Sequence, residues 1–149
     1  MSRRTATWLV WSMWTLSLAL TAFSLLLLVL NLSHPKVPVF EFWAEDTLTA
    51  VSFSTVGAVI VPRVSLSNPI GWLFCVMGLL FGVLHFSAQY AGYVLVVAPG
   101  SLPAGEAAAW IFSWAFVPAV GLLAFFFYCF QMVGCRAVAG DGSYGSACP

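Results

Sequence analysis

The sequence predicts an all-α membrane protein with four transmembrane helices and with the N-terminus and C-terminus both cytoplasmic. Three observations predict it. Hydrophobic residues make up 62% of the 149 and charged residues 7%, against about 45–50% and about 25% in soluble domains. A water-soluble fold of this size cannot cover itself with so few charges. Apolar runs recur four times along the chain, and the five basic residues are placed so as to orient them. The formal net charge is zero, so a nucleic-acid partner has no electrostatic support.

The first span, 7–32, follows Arg3 and Arg4. It is too long for a signal peptide and no small-x-small cleavage site follows it, so it reads as an uncleaved signal-anchor. The second span, 47–63, is the doubtful one. Its apolar core covers only 48–61, between Glu45-Asp46 and Pro62-Arg63, where a crossing takes about 20 residues. Charge counting decides in favour of a full span. With four spans, Arg3, Arg4, Arg63 and Arg136 fall inside and only Lys36 outside. If the second segment merely dips, two basic residues fall inside and three outside, which the positive-inside rule disfavours. Arg63 also snorkels along the helix end and lengthens the span. The third and fourth spans, 70–97 and 108–130, are long and apolar. Residues 1–130 then form one membrane domain and 131–149 an unstructured tail, rich in glycine and without an apolar period.

Tryptophans agree with this layout. Trp8, Trp11 and Trp14 begin the first span and Trp72 the third, while Trp43 and Trp110 fall near the outer boundary. Indole rings prefer these interfaces. The cysteines, Cys75, Cys129, Cys135 and Cys148, show neither metal-ligand spacing nor a disulfide framework. Cys75 and Cys129 lie in apolar segments, where a thiol acts as a small hydrophobe.

Two stretches stand out. In "SNPIGWLF", Asn68 can cap the coming helix, Pro69 suits its first position and Gly71 lets it start close to a neighbour, with Trp72 at the interface. Within the third span Gly71, Cys75, Gly78, Gly82, His85, Gln89 and Gly92 follow alternating steps of four and three, which puts small and polar side chains on one helical face. Gly78-x-x-x-Gly82 is the spacing that lets membrane helices approach closely, so the stripe reads first as a packing seam. His85 and Gln89, one turn apart, must find partners inside the bundle, and His85 is a candidate proton or ligand sensor. Glu41, Glu45, Asp46 and Glu106 face outward, yet their spacing resembles no calcium loop. Outer loops poor in Lys and Arg account for them. No phosphate loop, metalloprotease helix or nucleophile elbow occurs. The expectation is therefore no catalytic residue, no cofactor and no metal site. The expected partners are the lipid bilayer and either a second copy or a partner's membrane helices.

Together "NLSHP", "FSTVGAVI", "NPIGWLF" and "PGSLPAGEAAAW", in this order between hydrophobic spans, resemble the N-terminal multi-span membrane region of bacterial two-component sensor histidine kinases. The resemblance covers about residues 7–127, and Asn68-Pro69-Ile70-Gly71-Trp72 is its most specific part. It implies a sensory input domain in a bacterial inner or plasma membrane. In that family the fourth span leads into an "LLFPDGRLP"-like stretch, more membrane segments, then the phosphoacceptor and ATP-binding domains. That stretch is missing here. Reading the codons of Phe127 to Arg136 from their third bases nevertheless accommodates Leu-Leu-Phe-Pro-Asp-Gly-Arg-Leu-Pro throughout. A one-base loss at the codons of Phe125, Phe126 and Phe127 would account for the tail, which is then out of frame from about Tyr128. The resulting expectation is a signal-transduction module without its own catalytic domain. Two alternatives stay open: a stand-alone four-helix membrane protein that acts by helix–helix association, and a small transporter or membrane enzyme. The last ranks lowest, because ionisable residues within the spans are almost absent.

Overall fold

The computed structural model describes residues 3–32, 43–63 and 69–139. These form α1 (Arg3–Leu32), α2 (Trp43–Arg63), α3 (Pro69–Gly92), a π-helical turn (Tyr93–Val97) that continues α3, and α4 (Gly105–Ala139), with no strand among them. All four helices, α3 counted with its π turn, are long and apolar enough to cross a membrane. The chain is a multi-pass membrane protein on that ground.

The second segment is not short. Its helix has 21 residues, roughly 31 Å at 1.5 Å per residue, and so it matches the bilayer's hydrocarbon thickness. The sequence reading underestimates it because charged residues flank the apolar core. Glu45 and Asp46 occupy the first helical turn, where negative charge is favourable against the helix dipole. Thr47 Oγ1 donates to the Trp43 carbonyl at 2.7 Å within the same turn. At the other end Pro62 falls in the last turn before Arg63, where the ring interrupts little.

The tail also differs from its expectation. α4 runs nine residues past Phe130 to Ala139, where the reading above starts an unstructured tail at 131. Gln131, Met132, Arg136, Ala137 and Ala139 are adequate helix formers, and Gly134 alone costs only about 1 kcal/mol. The rest of the tail, 140–149, lies outside the described residues, as does Asn68.

Packing pairs define the topology. Ser17 of α1 meets Gly78 of α3, and Asn31 meets Gln89 further along both helices, so α1 and α3 are parallel. Gly71 faces Val61 and Gly78 faces Ser54, so α2 runs antiparallel to α3. Phe126 of α4 packs on Phe74, whereas Gly105 packs on Val94, so α4 is antiparallel as well. Arg3, Arg4 and Arg63 therefore share one end of the bundle, and Glu45, Asp46 and Glu106 belong to the other. Trp8, Trp11, Trp14 and Trp72 ring the arginine end, and Trp43, Trp110 and Trp114 ring the acidic end. Gly105 stands level with Val94, so Trp110 is level with about residue 89 of α3, some 17 residues from Trp72. That is roughly 25 Å of helix, close to one hydrocarbon thickness.

α3 is the hub. At the arginine end Val10, Ala58, Val61 and Cys75 form a core closed by Met13, Trp14 and Trp72. Nearer the acidic end Ala50, Phe81, Leu84 and Ala119 form another. Phe53 and Phe74 stack at 5.1 Å, and Phe126 sets its edge against both, at 5.7 and 4.9 Å. The loop into α4 is tied back where Tyr90 OH donates to the Pro103 carbonyl at 2.8 Å.

Candidate functional site

The small-residue stripe of α3 divides between two neighbours. Toward α2 the approach is closest. A Cβ placed on Gly57 would lie 2.6 Å from Cys75 Sγ and 2.7 Å from Cys75 N, and one on Gly78 would lie 2.7 Å from both Cα and Cβ of Ser54. Only glycine fits at such separations. Gly71 works in the same way at the start of α3, its missing Cβ replaced by Val61 Cγ2 at 2.8 Å. Toward α1 the fit is looser, since a Cβ on Gly82 would meet Ser17 atoms at 3.4 Å. Gly78 and Gly82 thus serve different helices, although their spacing alone suggests one common seam.

The α1–α3 interface is polar. Ser17, Thr21, Ser24, Leu28 and Asn31 are buried along α1, at steps of four and three that match those of α3. Ser17 Oγ donates to the Gly78 carbonyl at 2.9 Å, and Thr21 Oγ1 donates to the Ser17 carbonyl at 2.8 Å. Near the acidic end Asn31 Nδ2 donates to both Gln89 Oε1, at 2.9 Å, and the Gln89 carbonyl, at 3.0 Å. His85 lies on the same face of α3, one turn from Gly82 and one from Gln89, and is 2% exposed.

Along this interface three buried polar atoms have no hydrogen-bond partner among the described residues: Ser24 Oγ, Asn31 Oδ1 and His85 Nε2. A buried polar atom left without a partner costs about 1–3 kcal/mol. A simple packing seam would have carbon at these positions. The arrangement spreads hydrogen-bonding capacity from two helices over about two turns of the bundle, on the face of α3 that carries His85. Ser24 Oγ and His85 Nε2 make no hydrogen bond to each other. Among the described residues no three His, Cys, Asp or Glu side chains come together as a metal site.

Of the residues singled out from sequence, Gly78, Gly82, His85 and Gln89 lie within this interface. Pro69, Gly71 and Trp72 open α3 at the arginine end, where Trp72 is half-buried against the core. Ser17, Thr21, Ser24 and Asn31 escaped the sequence reading. Their spacing in α1 carries the same four-and-three signal, masked there by the leucines around it. Comparisons with protein-family models, with curated proteins and with solved structures gave no match. The functional reading therefore rests on the residues themselves.

Proposed function

We propose that this chain is a membrane-embedded sensory module, similar to the input region of a bacterial sensor histidine kinase and without a catalytic domain of its own. Its arginine end faces the cytoplasm of a bacterial inner or plasma membrane, as the positive-inside rule directs. The observation that carries the reading is the polar α1–α3 interface, with Ser24, Asn31 and His85 holding buried atoms that no described residue pairs. Polar groups kept inside a membrane bundle at a cost to stability are there for function by default. α3 touches every other helix, and its start is the "NPIGWLF" stretch on which the family resemblance mainly rests. A change at His85 and Gln89 reaches the cytoplasmic end through the rigid glycine contacts of Gly71 and Gly78.

Sequencing the DNA downstream and translating the adjacent frame tests the kinase connection. A frame that continues through Pro-Asp-Gly-Arg-Leu-Pro into phosphoacceptor and ATP-binding domains supports it. A stop with nothing kinase-like beyond refutes it and leaves the second reading, helix–helix association with a partner. One feature favours that alternative: Trp110, Trp114, Val117, Phe125, Phe127 and Tyr128 of α4 all point away from the bundle.

A further inference from the structure

On the side of α3 away from the polar interface, a cleft of about 160 Å³ opens between α2, α3 and α4. Phe81, Leu84, Phe112, Phe116, Ala119 and Val120 form its walls, and Glu45 and Asp46 stand at its mouth. The carboxylates lie near the level of Trp43 and Trp110, at the interfacial belt, and the floor at Phe81 and Ala119 lies deeper in the hydrocarbon. The described cationic residues, Arg3, Arg4, Arg63 and Arg136, belong to the opposite end of the bundle. Two acidic side chains therefore overlook an apolar, aromatic hole with no described countercharge at their end. The α2 dipole already favours Glu45 and Asp46 where they stand, and carboxylates at the mouth of a low-dielectric cleft also raise the local concentration of cations there. Aromatic faces attract organic cations. An apolar cavity of about 150 Å³ accommodates a benzene-sized body.

We propose that this cleft binds an amphipathic organic cation, its ammonium head beside Glu45 and Asp46 and its apolar body between Phe112, Phe116 and Leu84. A hydrated metal ion suits the site poorly, because calcium wants six to eight oxygen ligands and the walls supply carbon. A neutral lipid tail would leave the charge at the mouth unused. The site stands apart from the sensory reading: no result below bears on the downstream reading frame.

The test is equilibrium dialysis of benzyltrimethylammonium against the full chain in nanodiscs of zwitterionic lipid, with empty discs subtracting partition. Saturable binding near one per chain is expected, in preference to the uncharged isostere neopentylbenzene. Glu45→Gln/Asp46→Asn should weaken binding by about tenfold or more and remove the preference for charge. Val120→Trp, made at a lipid-facing rim position, should block the cleft with both carboxylates intact, and it serves where the acidic double variant fails to fold. Equal binding of the isostere would make the cleft a lipid-chain groove and overturn the proposal. Complete displacement by millimolar calcium, or binding that appears only in Lys36→Gln, would assign the carboxylates elsewhere and overturn it too.

Discussion

Alanine at Gly78 and at Gly121 adds the same methyl group to the same bilayer-spanning fold, and the two substitutions should have opposite signs. At Gly78 the new Cβ would lie 2.7 Å from Ser54 Cα and Cβ. Carbon atoms rest at about 3.5–4.0 Å, so α2 must retreat by roughly 0.8 Å, and the obstacle is backbone that no rotamer change removes. Overpacking of this kind costs about 1–3 kcal/mol. Exchanging glycine for alanine returns about 1 kcal/mol of helix propensity, which leaves a net loss of up to about 2 kcal/mol. At Gly121 no described residue lies within 4 Å of the added Cβ, so only the propensity gain remains. Gly82, with its nearest neighbour at 3.4 Å, should fall between them and close to neutral. The two extremes are thus separated by about 2 kcal/mol, readable by equilibrium unfolding in mixed detergent–SDS micelles followed by circular dichroism. Ser54→Gly should rescue Gly78→Ala only in part, because Ser54 Cα is itself in the way. If Gly78→Ala proves as stable as Gly121→Ala, the close α2–α3 approach is wrong.

Asn31→Leu should destabilise by about 1–2 kcal/mol, since it strands Gln89 Oε1, and Gln89→Leu by less, since Asn31 Nδ2 keeps the backbone carbonyl of residue 89; the double variant should cost less than the sum, and strict additivity in a double-mutant cycle would refute the side-chain bond. Ala104 holds φ of 67°, a left-handed conformation that costs a non-glycine residue about 1–2 kcal/mol, so Ala104→Gly should leave the melting temperature unchanged or raised, and a clear drop would contradict that turn. In a cysteine-free background, single cysteines at Lys36 and Ser101 should react with an impermeant reagent applied outside cells, and one at Ser65 should not. Labelling at Ser65 would reverse the orientation.

Reading the sequence alone found four spans, the α3 stripe and the role of Gly71 beside Pro69. Each depends on local pattern: runs of apolar residues, a repeat of four and three, a helix-start signal. The helix ends are less legible: hydropathy gives α2 too little and ends α4 too early. There the decisive effects are a dipole that welcomes Glu45 and Asp46 and the tolerance of one Gly134 within a helix, and neither shows in hydropathy. The acidic residues of α2 looked like ordinary loop charges until Phe112 and Phe116, more than 60 positions away, were seen to face the same cleft.

Composition, which is additive along the chain, by itself determined that this protein crosses a membrane, and basic-residue placement sets the expectation of which way its arginines point. Which residues touch is not additive. Gly78 and Gly82 share one spacing, yet the first admits α2 and the second α1, because neighbouring helices occupy different sectors around α3. Ser24, Asn31 and His85 share an interface only because α1 and α3 pack in parallel along their polar faces. Their register depends on how closely backbones approach across glycine. Contacts between distant segments decide it, and no window along the chain contains both sides.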